Sequence, residues 1–129
     1  MKRLLENLFL SKEMHEYRKM HNKHRKELTK HAKKSKEYDW CWLHETVLIY
    51  IKHMHDYYSA GNNVWQVDES KNEILEQLQQ VLDIEKEIED LNNNLDFAIN
   101  DPYRYLDKET ELYETFYTLI GKYIRYWWD

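Results

Sequence analysis

Two glycines, Gly61 and Gly121, and one proline, Pro102, are all that this chain of 129 residues contains. A sandwich or barrel of short strands needs turn residues at every reversal of the chain, and too few are present. The scarcity predicts an all-α fold: a few long helices with few connections. The length suits one domain, with room for a core that needs neither a disulfide nor a structural metal. The expected architecture is a single domain over residues 1–129, a compact bundle of about four helices at approximately 10–34, 39–59, 70–99 and 102–127, assembling as an oligomer.

Each helix has its own pattern. In the first, Leu10, Met14, Tyr17, His21, His24, Leu28 and His31 recur in steps of four and three, a thin and partly histidine seam on a Lys/Arg-rich helix. So polar a helix needs a partner, from its own chain or from another subunit. In the second, Asp39 is placed to cap the N-terminus, and Leu43, Val47, Ile51, Met54 and Tyr58 share a face widened by Leu48 and Tyr50. That face is the most apolar and is expected at the centre of the core. Residues 59–67 read as a loop, and Ser70-Lys71-Asn72-Glu73 reads as a capping box. Ile74, Leu78, Val81, Leu82, Ile88, Leu91 and Leu95 give the buried stripe of the third helix. Asp101 as cap and Pro102 at the first helical position open the last, whose Gly121 predicts a close approach by another helix.

Charge is unevenly distributed. Residues 1–36 hold 12 Lys/Arg against 4 Asp/Glu; the remainder holds 7 against 20, giving the net of −5. The basic arm suits a phosphate-bearing partner, or it packs beside the acidic third helix of its own bundle. The net negative charge argues against nucleic acid. The single cysteine, Cys41, allows no intrachain disulfide and suits a reducing compartment. Residues 1–10 have the outline of a signal peptide, but Glu6 and Asn7 interrupt the apolar run and no small-residue cleavage site follows. No apolar run reaches the roughly 18 residues of a membrane span. A cytoplasmic location without membrane contact is expected.

Chemistry-bearing patterns are weak. All seven histidines, His15, His21, His24, His31, His44, His53 and His55, lie between residues 15 and 55, which invites a metal. His55-Asp56 resembles the metal-binding pair of the HD phosphohydrolases, but only as a dipeptide, and neither Glu-x-x-His nor His-Glu-x-x-His occurs. A metal-dependent hydrolase is therefore the weakest reading, and no metal ligand is assigned. No glycine-rich phosphate loop and no nucleophile elbow is present, and Cys41 has no surrounding motif. No catalytic residue and no cofactor is expected.

Aromatic residues are the most unusual feature, with eleven tyrosines and five tryptophans. Only about half of a helix's side chains can face a core. The neighbouring pairs Trp40/Trp42, Tyr57/Tyr58 and Trp127/Trp128 must therefore present rings to loops, to another subunit or to a ligand, or else plug the ends of the bundle.

Tyr-Asp-Trp-Cys-Trp-Leu-His-Glu from Tyr38, followed by Ile-Lys-His-Met-His-Asp-Tyr-Tyr from Ile51, resembles the signature of a family of small, uncharacterised all-helical proteins encoded by tailed bacteriophages and prophages. The matching positions are Asp39, Trp40, Trp42, Leu43, Glu45, Lys52, Met54, Asp56, Tyr57 and Tyr58, about twenty residues of chain. The family carries no assigned activity, so the resemblance implies a source and a fold. A phage source implies an accessory factor in the host cytoplasm, among them sponges that sequester the nucleotide signals of antiviral immunity. Such a sponge needs rings for bases and cations for phosphates. On that reading Trp40, Trp42, Tyr57, Tyr58 and Trp65 stack, while Arg18, Arg25 and Lys52 bind phosphate. The alternative is a protein–protein module that inhibits or adapts a host or virion protein through the same aromatics.

Overall fold

The structure, a computed structural model, describes residues 11–35, 39–60 and 68–127, with side chains from residue 15 in the first stretch and residue 70 in the last. Among these residues there are five α-helices and no strand: α1 Ser11–Ala32, α2 Trp40–Ser59, α3 Asp68–Asn92, α4 Leu95–Asn100 and α5 Pro102–Trp127. The all-α class follows. Packing divides the chain into two compact units, residues 1–67 and 68–129.

In the first unit α1 and α2 form an antiparallel hairpin. Asp39 caps α2 as its sequence implies, its Oδ1 accepting from the amides of Cys41 (3.0 Å) and Trp42 (3.4 Å). The buried positions of α2 differ from the expected face. Leu48, Ile51 and Tyr58 are buried, but so are His44 and His53, whereas Leu43 is 59% exposed and Tyr50 43%. The reason is α1: its own seam carries histidines, so the face of α2 that meets it includes polar groups able to hydrogen-bond across the gap. Of the α1 seam, His31 is buried and His24 and Leu28 are half-buried, while Tyr17 and His21 are exposed; Leu10 and Met14 lie outside the described side chains.

In the second unit α3 and α5 run antiparallel. Ile74, Leu78, Val81, Ile88 and Leu91 of α3 and Phe116, Ile120 and Trp127 of α5 are buried. Three side-chain bonds fix the register: Trp127 Nε1 donates to Gln77 Oε1 (3.1 Å), Tyr123 Oη to Gln80 Oε1 (3.5 Å) and Tyr105 Oη to Asn92 Oδ1 (2.8 Å). The expected helix over 70–99 is two helices. α3 starts at Asp68, so Ser70 lies inside it rather than capping it, and it ends at Asn92. Consecutive asparagines compete for backbone groups and favour caps over helix interiors. Asn94 accordingly leaves the helical region and accepts from Phe97 N (3.2 Å), starting the short α4. Asp101 closes α4 through its amide (2.9 Å to Phe97 O) and opens α5 by accepting from Arg104 N (3.3 Å), with Pro102 following it.

Candidate functional site

The histidines that the sequence strings along α1 and α2 meet across the hairpin. His24 of α1 and His53 of α2 stack with ring centroids 3.7 Å apart and 6° between planes. Each ring has a carboxylate beside it: His53 Nε2 is 3.0 Å from Glu27 Oε2, and His24 Nε2 is 3.4 Å from Asp56 Oδ2. The second contact is poorly aligned, and His24 Nε2 is a buried nitrogen without a hydrogen-bond partner. Burial, then the charge of His53, hold the His24 imidazole below its ordinary range, partly offset by Asp56. The hydrogen bond from His53 holds the Glu27 carboxyl below its own.

Two helical turns further towards the connection, His31 stacks on Trp42 (4.9 Å, 4°). Its Nε2 lies 2.8 Å from Thr46 Oγ1, and Trp42 Nε1 donates back to the His31 carbonyl at 3.0 Å. At the opposite end of the hairpin Tyr17 stacks on His21 (5.9 Å) and meets Tyr57 edge-on (6.0 Å).

Beside the His24–His53 stack runs an open groove of about 800 Å³, lined by Glu16, Lys19, Met20, Asn22, Lys23, His24, Lys26 and Asp56. Lys19, Lys23 and Lys26 recur at helical spacing on one face of α1, so three ammonium groups rim a recess with His24 and Asp56 in its wall. Met20 supplies an apolar surface, and Glu16 and Asp56 supply acceptors. Such a mixture suits an anionic ligand that also carries hydrogen-bond donors.

The residues expected from the sequence do not form one constellation. Trp40 and Trp42 open α2 and Tyr57 and Tyr58 close it, about 22 Å apart along the helix. Trp40 is exposed, whereas Trp42 is held against His31. Tyr58 is buried and packs against Tyr57 (5.2 Å), which burial shifts to a higher phenol pKa. Arg18, Arg25 and Lys52 are exposed, and none of the three lines the groove. Trp65 lies outside the described residues. The groove cations are instead Lys19, Lys23 and Lys26, on the lysine-rich helix already marked as the basic arm. Their i, i+4, i+7 spacing was the available signal.

No group of three or more His, Cys, Asp or Glu side chains among the described residues is placed to hold a metal ion. No helix among them is long and apolar enough to cross a membrane. The chain matches no protein-family model, no curated protein and no solved structure.

Proposed function

We propose that this chain is a non-enzymatic binding protein whose ligand is an anionic small molecule of nucleotide type, held in the α1 groove. The observation that carries the reading is the recess rimmed by Lys19, Lys23 and Lys26, with His24 and Asp56 in its wall. The lysines answer phosphate oxygens. Asp56 and Glu16 answer the exocyclic amines of a base. The resemblance over residues 39–58 to small tailed-phage proteins supports the finer reading, a sponge that sequesters a nucleotide signal of host antiviral immunity.

The test is a thermal-shift scan of the full chain against cyclic di- and trinucleotides and ADP-ribose-type compounds. A ligand at about 100 times its dissociation constant adds roughly 2.7 kcal/mol of stability. A shift with one compound that is lost in Lys19→Glu/Lys23→Glu, with the compound recovered intact, supports the sponge. A flat panel removes it.

A second reading, a protein-interaction module, has its own observation. Leu95 and Ile99, one turn apart on α4, are 68% and 76% exposed. A host or virion protein captured by the chain and released by Leu95→Asp/Ile99→Asp would favour it.

A further inference from the structure

Gly121 is the one glycine within the described helices, and it sits deep inside α5, where a glycine weakens a helix. Among the described residues a Cβ added there meets nothing within 4 Å, so none of them calls for its small size.

It belongs to a row that the fold leaves mostly exposed, with Tyr113 half-buried. Tyr103, Leu106, Thr110, Tyr113, Tyr117, Gly121 and Ile124 follow steps of three and four along α5 without a single charge. The row lies to one side of the buried one formed by Phe116, Ile120 and Trp127. Along it Tyr103 is 83% exposed, Leu106 54%, Tyr117 41% and Ile124 42%. A charge-free row over most of a 26-residue helix is the pattern of a helix-packing seam, and here it is a second seam.

The seam is also symmetric about Thr115. Leu106 and Ile124 each stand nine residues from it, Thr110 and Gly121 stand five and six away, and Tyr113 and Tyr117 stand two away. Read from either end, the order is aliphatic, small, tyrosine, tyrosine, small, aliphatic. Laid antiparallel on a second copy, Leu106 falls opposite Ile124, Gly121 opposite Thr110, and Tyr113 opposite Tyr117. The small pair lets the backbones approach closely, which gives Gly121 its reason. Asp107 and Arg125 lie on the same flank of the seam, so the antiparallel arrangement brings the acid of one copy to the base of the other. In a parallel pairing Asp107 of one copy and Arg125 of the other stand 18 positions apart in register and do not meet.

We infer that α5 is the surface by which two copies of this chain associate, through an isologous antiparallel helix pair centred on Thr115. Isologous contacts require a self-complementary patch, and this row is one. The seam from Leu106 to Ile124 is about 27 Å long, which puts the contact at the small end of specific interfaces and makes the dimer a weak, concentration-dependent one. The inference is independent of the ligand reading, because it uses none of the groove residues.

Sedimentation equilibrium of the full chain, from about 5 µM to about 500 µM, reads the association directly. The expected result is a monomer–dimer equilibrium that Leu106→Arg/Ile124→Arg abolishes while helical circular dichroism is unchanged, both sites being exposed. In a Cys41→Ser background, Leu106→Cys and Ile124→Cys copies mixed under oxidising conditions should form a mixed disulfide faster than either pairs with itself. A chain that stays monomeric throughout, a dimer indifferent to Leu106→Arg/Ile124→Arg, or a Leu106→Cys copy that pairs fastest with itself, overturns the inference.

Discussion

The imidazoles of His24 and His53 lie face to face with 3.7 Å between centroids, and Asp56 and Glu27 stand at their outer edges. Stacked this closely, one ring's proton opposes the other's, so the hairpin interface disfavours a proton on His24. The polar seam that looked thin in the sequence is thus an ordered set of ring contacts and carboxylate bonds. It holds α1 to α2 where apolar residues are scarce.

The first consequence concerns pH. The His24 pKa is lower in the folded chain than its ordinary 6.5, through burial and then the charge of His53. The unfolded chain therefore binds the proton first, and stability is lost as pH falls below about 6.5. The lowered Glu27 carboxyl acts in the same direction, its contribution fading as pH falls below its ordinary 4.5. Urea unfolding monitored on the hairpin between pH 8 and pH 5 should show stability falling with acid, with a slope no steeper than about 1.4 kcal/mol per pH unit for one proton. His24→Gln should flatten it.

Trp42 is tied to α1 by its ring and by its indole N–H, which donates to the His31 carbonyl. Trp42→Phe keeps a ring on the imidazole but removes that donor, leaving a part-buried carbonyl to find water. A loss of roughly 1–2 kcal/mol is expected in chemical denaturation. Equal stability of Trp42→Phe and the parent chain would mean that the indole bond contributes nothing.

Trp127 and Gln77 form the buried hydrogen bond that joins the end of α5 to the start of the α3 core. Trp127→Phe strands the Gln77 amide oxygen among Ile74, Leu78 and Val81, at a cost of about 1–3 kcal/mol. Pairing it with Gln77→Leu should recover part of the loss. A double variant no better than the single one would show that packing, and not the bond, sets the cost.

Gly121→Ala tests the open space at that position. With none of the described residues within 4 Å of the added methyl, the helix should gain up to about 1 kcal/mol in dilute protein, where any self-association is negligible. Thermal unfolding read at two concentrations separates the helix effect from association.

Much of this protein is written locally. The shortage of glycine and proline fixes the all-α class, and Asp39, Asp101 and Pro102 mark helix starts because a cap depends on residues within one turn. The break after Asn92 was also present, in three consecutive asparagines, yet the apolar spacing from Leu91 to Leu95 reads straight through it. Periodicity records which side chains share a face and is silent on where the backbone leaves the helix.

The candidate site was legible only in part. The basic arm pointed to α1, but the particular cations that share a recess depend on which face of α1 borders α2. Because neighbouring rings cannot all face one core, the aromatic pairs read either as ligand- or partner-facing or as plugs at the bundle ends. Trp42 and Tyr58 meet ring partners within the hairpin.

The sequence by itself determined the all-α class, the caps at Asp39 and Asp101 and the charge asymmetry, because each cap is settled by residues a few positions apart and the other two by composition. Only the tertiary structure decided that His53 finds Glu27 across 26 positions and Trp127 finds Gln77 across 50. It alone decided which of the two apolar rows of α5 goes inward. Both rows satisfy the same helical period, and a helix packed on one partner can bury only one of them.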